Sequence, residues 1–318
     1  MSEPLYTSPD ASNMTMDDEI DLKELFTVLW SGKWLISAIT GVAAVASVAI
    51  ALMLPNIYTA NALLAPAEQS GGGMSALMQQ YGGLASLAGV SLPGGDEASR
   101  AQLGMALMTS RGFIGEFVER RAILPELMAA DTWDLGTDEV SYDPEVYDSS
   151  TGEWVRDVEA PFKPEPSLLE AHAAFKEILG VSQDKQTGYV TVSIDHKSPT
   201  LAAQWVNWLV EDVNSAVKAQ DVAEAEKSIE YLREQVTNTS LADLQAVFFD
   251  LIQSQTETVM LAEVRQEYVF KTIDPAVTPE EKSKPSRALI CVLGTLLGGM
   301  LGVVIVLIRH YARSEPEA

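Results

Sequence analysis

The residues best suited to acid–base, nucleophilic or metal chemistry are three histidines, His172, His196 and His310, and one cysteine, Cys291. They are scattered, and no HExxH, GxSxG, CxxC or GxxxxGKS/T pattern organises them. Asp195 and His196 are adjacent, but they end an alternating apolar stretch and read as a capping and turn pair rather than an acid–base couple. The 45 Asp and Glu face only 21 Lys and Arg and are spread along the whole chain. That describes a solvated surface, not the paired carboxylates of a glycosidase, although glycan hydrolysis is the enzymatic rival. No catalytic residue, cofactor site or metal site is expected.

One basic constellation remains, Lys282, Lys284 and Arg287, embedded in a segment punctuated by Pro275, Pro279 and Pro285. Its cations either snorkel to lipid headgroups or meet an anion, a pyrophosphate or an acidic protein loop. Both readings stay open.

What positions this cluster is the uncharged run that follows it, residues 288–308, about the 20 residues a bilayer-spanning helix needs. Within the run Gly294, Gly298 and Gly302 recur every fourth residue and share one helix face, a pattern that lets helices approach closely in lipid. The face packs on this chain's own first span, or docks on a neighbouring subunit or another membrane protein. A second uncharged run covers residues 34–54. A long acidic lead and an extended apolar core distinguish it from a cleaved signal peptide. Two spans place both termini on one side. Lys23 and Lys33 precede the first span and no Lys or Arg follows it until Arg100, which puts the N-terminus in the cytoplasm. The charges around the second span point the other way; the first span is taken to decide.

A net charge of −24 argues against nucleic-acid partners and against broad adhesion to anionic lipid. Residues 1–33 form a cytoplasmic segment whose amphipathic lead-in carries Trp30 and Trp34 about Lys33. Residues 55–287 form one domain between the spans, and 309–318 a short tail. Within the domain a strand is expected over 57–64. A Gly-rich stretch, 70–95, keeps an apolar stripe at Met74, Leu77, Met78, Tyr81 and Leu84. A helix follows over 96–121, then a surface excursion over 131–166. Ser167 and Glu170 form a capping box for a helix running to Gly180. Val190, Val192 and Ile194 alternate in a strand. Ser198-Pro199 opens a helix without Gly or Pro up to Gln235, on the order of 55 Å long. A break near 237–240 with a cap at Ser240 precedes a second helix through Leu244, Val247, Phe248, Leu251 and Ile252, and a strand returns over 267–273. The fold class is thus an α+β membrane protein. Two transmembrane helices bracket an α/β base (55–198 and 265–287), from which a helical hairpin (199–264) projects.

Three blocks carry a family resemblance: EIDLKELFTVLWSGKWLI, DKQTGYVTVSIDHKSPTLAAQWVNWLV and EYVFKTIDPAVTPEEKSKPSRALICVLGTLLGGMLG. Together they resemble the Wzz chain-length determinants, the polysaccharide co-polymerases of Gram-negative inner membranes. The resemblance implies a periplasmic α/β base with a long helix and a ring-like homo-oligomer. It also implies a non-enzymatic role: setting the length of O-antigen or a related polysaccharide, made by a Wzy-type polymerase on a lipid carrier. The basic cluster, Lys282, Lys284 and Arg287, would then face the polymerase or the carrier's pyrophosphate. Related co-polymerases carry or partner a cytoplasmic tyrosine kinase. Only residues 309–318 follow the second span, so a fused kinase is not expected, whereas an adaptor for a separate kinase in capsule or exopolysaccharide export is the alternative.

Overall fold

The computed structural model describes residues 22–67, 96–239 and 241–314. The polar N-terminus, the Gly-rich stretch with its apolar stripe, and Ser240 lie outside them. The chain divides into two compact units, Met1–Leu54 with Ser286–Ala318, and Pro55–Pro285.

The first unit is helical: α1 (Leu22–Ser31), α2 (Lys33–Met53) and, from the end of the chain, α9 (Arg287–Ser314). α2 and α9 are long and apolar enough to cross a membrane, with mean hydropathies of 2.3 and 2.6. Gly32 separates α1 from α2 and lies against α9; a Cβ there would meet Val306 Cγ1 at 2.6 Å.

The second unit is built on an antiparallel sheet of order β6-β7-β1-β8: β1 (Tyr58–Pro66), β6 (Leu179–Gln183), β7 (Val190–His196) and β8 (Phe270–Asp274). Ala60, Ala62 and Leu64 of β1 and Val190, Val192 and Ile194 of β7 turn one face inward. The two alanines leave room for a helix to lie close. That helix is α7 (Pro199–Asn238), 40 residues or about 60 Å long. Trp205, Leu209, Val213 and Val217 bury its first half. Beyond Val217 only Ala225 is buried, so the rest of α7 leaves the core and runs beside α8 (Ala242–Val264). The expected hairpin break follows Asn238, where α7 ends, and precedes Ala242, where α8 begins. Leu241 stands at the N-cap of α8 without a side-chain cap, and Gln245 instead ties the turn by donating to Val236 O and Thr239 O.

Helices α3 (Asp96–Met108), α4 (Arg111–Arg121), α5 (Leu124–Met128) and α6 (Leu168–Ile178) complete the core. The single helix expected over 96–121 is two, because Ser110 takes an extended conformation and caps α4 through Phe113 N–H. The helix expected to reach Gly180 stops at Ile178. Leu179–Gln183 is a strand paired with β7, and Gly180 lies so close to Ser193 that a side chain there would clash. The capping box of Ser167 and Glu170 is present as read.

The excursion over 131–166 holds two small hairpins, β2 (Ala130–Trp133) with β3 (Val140–Tyr142), and β4 (Tyr147–Asp148) with β5 (Glu153–Trp154). These two turns and the β6–β7 turn repeat one design. Asp134, Asp148 and Asp184 accept backbone N–H bonds from two residues on. Four residues on, the chain enters the left-handed region, at Asp138 (φ 55°), Gly152 (φ 75°) and Gly188 (φ 74°). Asp138 tolerates that conformation with its carboxylate held by Trp133 Nε1–H and the Thr200 hydroxyl.

Candidate functional site

Everything after α8 returns along α7 before reaching α9. Four α7 residues receive it: Asn207, Asn214, Lys218 and Asp221. Spaced by seven, four and three, they fall within about 60° of one helix face. Asn207 donates to Ala276 O at 2.9 Å and accepts from Ala276 N–H at 3.1 Å. Asn214 accepts from Val269 and Phe270 N–H at 2.7 and 2.9 Å and donates to Phe270 O at 3.1 Å. Each carboxamide thus answers both backbone groups of one residue, as a neighbouring strand would. Lys218 Nζ reaches Arg265 O at 3.3 Å, and Asp221 accepts the Tyr268 hydroxyl at 2.8 Å. Burial, then the Asp221 hydrogen bond, pushes the Tyr268 phenol up to about 12, so it stays a donor.

β8 is an edge strand, and its free edge is what Asn214 covers. Its inner side is locked by packing. Phe270 is fully buried, and Gly104 of α3 lies against it so closely that a Cβ would meet Phe270 Cε2 at 2.6 Å. The sequence singled out neither asparagine. The available signal was two amides two turns apart, in line with Lys218 and Asp221 and flanked by Val210 and Val217.

Past Asp274 the prolines take over. Pro275 ends β8, and Pro279 and Pro285 carry the segment without N–H donors of their own. Ser283 and Lys284 then pair with Ile57, which donates to Lys284 O at 2.9 Å and accepts from Ser283 N–H at 2.9 Å. Ser283 Oγ also accepts from Thr59 N–H. The first and last residues of the α/β unit are therefore stitched together. Of the basic cluster, Lys284 Nζ lies 2.6 Å from Asp195 Oδ2, and Lys282 Nζ is 3.3 Å from Asn56 Oδ1. Arg287 is the first residue of α9 and belongs to the helical unit. Lys284 is 61% exposed, so its ion pair contributes at most about 1 kcal/mol, and its main effect is to orient the segment.

In the helical unit the glycine face meets α2. A Cβ at Gly294 would strike Ser47, one at Gly298 would strike Ala43, and one at Gly302 would reach Ile36 Cα at 3.2 Å. Leu293, Leu297, Met300, Leu301 and Val304 point outward.

His172 and His196 serve as hydrogen-bonding groups. His172 Nε2 meets Thr109 O at 3.2 Å, and His196 is buried at the corner that opens α7. Asp195 faces Thr59 and Lys284, not the imidazole. Among the described residues no group of three His, Cys, Asp or Glu could hold a metal ion. What this arrangement does is mechanical: it fixes the register between a long helix pair and the segment leading into α9.

Residues 18–120 match the family described as "Wzz: Chain length determinant protein", and residues 242–311 match GNVR, a "G-rich domain on putative tyrosine kinase". No curated protein matches the sequence. Among solved structures, a full-length bacterial polysaccharide co-polymerase is 14% identical, with 94% of this chain and 100% of that one covered and a TM-score of 0.41. A fragment of WzzB, a polysaccharide co-polymerase from Salmonella Typhimurium, is 12% identical, with 72% and 100% covered and a TM-score of 0.30. Neither superposition transfers the role of any residue.

Proposed function

We propose that this chain, whose residues 18–120 match the Wzz chain length determinant family, is a non-catalytic regulator of how long a surface polysaccharide grows. The match over residues 18–120 carries the reading. In it the runs 34–54 and 288–308 cross the inner membrane, both termini are cytoplasmic, and residues 55–287 lie in the periplasm. Copies of the chain assemble into a ring. The partners are a Wzy-type polymerase and its lipid-linked product, O-antigen or a related polymer. The clamped return segment supports a mechanical role, because Asn207 and Asn214 of α7 hold it in one register up to the prolines that precede the second span.

A second reading has its own observation, the GNVR match over 242–311, which spans α8, β8, the proline segment and most of α9. It makes the chain an adaptor for capsule or exopolysaccharide export, working with a separate cytoplasmic kinase. A deletion strain separates the two. Lipopolysaccharide that loses its modal length on a sizing gel supports the first; normal lipopolysaccharide with lost export of another polymer supports the second.

A further inference from the structure

The corner between β7 and α7 reads Asp195-His196-Lys197-Ser198, and each residue fastens a different segment. Asp195 holds Thr59 of β1 and Lys284 of the proline segment. Lys197 Nζ donates to Ala130 O of β2 at 2.8 Å and lies 3.9 Å from Asp131. Ser198 caps α7 by accepting from Leu201 N–H. His196, 7% exposed, accepts at Nδ1 from Ser198 N–H at 3.0 Å, and its Nε2 lies 3.2 Å from Glu126 O on α5. An amide can only donate and a carbonyl only accept, so the ring is neutral with its proton on Nε2.

We propose that His196 is an acid-sensitive catch joining α5 to the start of α7: protonation places an Nδ1–H against the Ser198 N–H, and the cation, although Nε2–H still donates to Glu126 O, is accommodated only when this corner opens. The charged and titratable groups around the ring do not rescue the cation. Glu126 of α5 offers its backbone oxygen, while its carboxylate accepts the Tyr142 hydroxyl of β3. Asp195 is turned to Lys284, and Lys197 adds a like charge. Tyr58 lies opposite in the β1 register, and from α7 the ring meets Trp205, 4.8 Å between centroids. Burial above all, with Lys197 adding to it, holds the imidazole below its ordinary 6.5, against the Glu126 carbonyl, which favours the cation.

The sign follows. Between the lowered folded value and 6.5 the open form binds a proton that the closed form does not, so closure weakens as pH falls. The effect is up to about tenfold in the opening constant per pH unit. Hydrogen exchange on the full-length protein in detergent, corrected for intrinsic rates, tests this at pH 7.5, 6.5 and 5.5. Protection over residues 124–130 and 198–203 should fall by up to about tenfold between pH 6.5 and 5.5, while 113–118 holds steady. His196→Asn retains an acceptor for Ser198 and His196→Gln retains a donor toward Glu126; both should lose the pH slope whatever their absolute stability. A flat wild-type profile, or the same slope in both variants, overturns the proposal. Neither outcome depends on the polysaccharide reading.

Discussion

The carboxamide of Asn214 stands to Phe270 as a strand would, answering both its N–H and its C=O from the side of a helix. Asn214 is 5% exposed and Phe270 fully buried, so the amide is removed from a site largely shielded from solvent. Asn214→Ala strands buried backbone groups, each costing about 1–3 kcal/mol. The expected loss is about 3 kcal/mol, seen as a lowered melting temperature of the purified protein. Asn207→Ala, at a less buried site, should cost less. If Asn214→Ala melts like wild type, the clamp contributes nothing.

Asp212 is the buried anion of the core, 3% exposed. Arg121 grips it through Nε and Nη2 at 3.2 and 2.7 Å, Arg120 approaches to 3.3 Å, and Arg121 also stacks on Trp208. The Asp212 hydrogen bond pulls the Arg121 pKa further up. Asp212→Ala leaves Arg121 with Glu211 and Arg120 with Glu116, both partly exposed, and should destabilise by about 1–3 kcal/mol. Asp212→Asn should cost less. Denaturant unfolding of the three proteins checks the order.

Much of this frame was legible in the sequence because it is local. The alternation of Val190, Val192 and Ile194, the Ser198-Pro199 start of α7 and the Ser167–Glu170 box each lie within a few residues of their consequence. What escaped depends on distant partners. β6 exists because Ser193 and its neighbours on β7 pair with it, and by itself LGVSQ reads as a helix end. The role of Asn207 and Asn214 lies in backbone more than fifty residues downstream. The break at Ser110 was hidden by an apolar spacing that continues across it. For the glycine face the sequence named the residues but left the partner open, and the structure sets Ser47, Ala43 and Ile36 against it.

That seam yields a prediction. Gly298→Leu drives a side chain into Ala43 and should loosen the α2–α9 pair by about 1–3 kcal/mol. It should lower the melting temperature in detergent and the amount of protein in membranes. Leu297→Ala, on the outward face, should leave both unchanged. Full abundance and stability of Gly298→Leu would mean that the glycine face is not held by α2.

Acid should open the strap before α6. Arg156 binds Glu170 at 2.7 Å and donates to the carbonyls of Pro164 and Lys163. The Arg156 hydrogen bond, with that of Ser167 N–H, lowers Glu170 from 4.5 to about 2. A lowered carboxylate stabilises above its ordinary value and loses that contribution as pH falls toward the folded one. Exchange over residues 156–170, corrected for intrinsic rates, should therefore rise between pH 4.5 and 2. In Glu170→Gln it should already be fast at pH 5 and vary less. Asp134, Asp148 and Asp184, lowered chiefly by the hydrogen bonds within their turns, shift the hairpins in the same direction.

The most direct test concerns Lys284 and Asp195, which join the proline segment to the corner that opens α7. In a deletion strain, wild type, Lys284→Asp, Asp195→Lys and the double exchange are compared by sizing the surface polysaccharide, with protein abundance measured alongside. The account predicts that each single change shifts the modal length at normal abundance and that the exchange restores it. Unaltered length in the single variants, or a shift in Lys284→Asp that the exchange fails to reverse, would contradict the claim that the clamped return segment transmits length control.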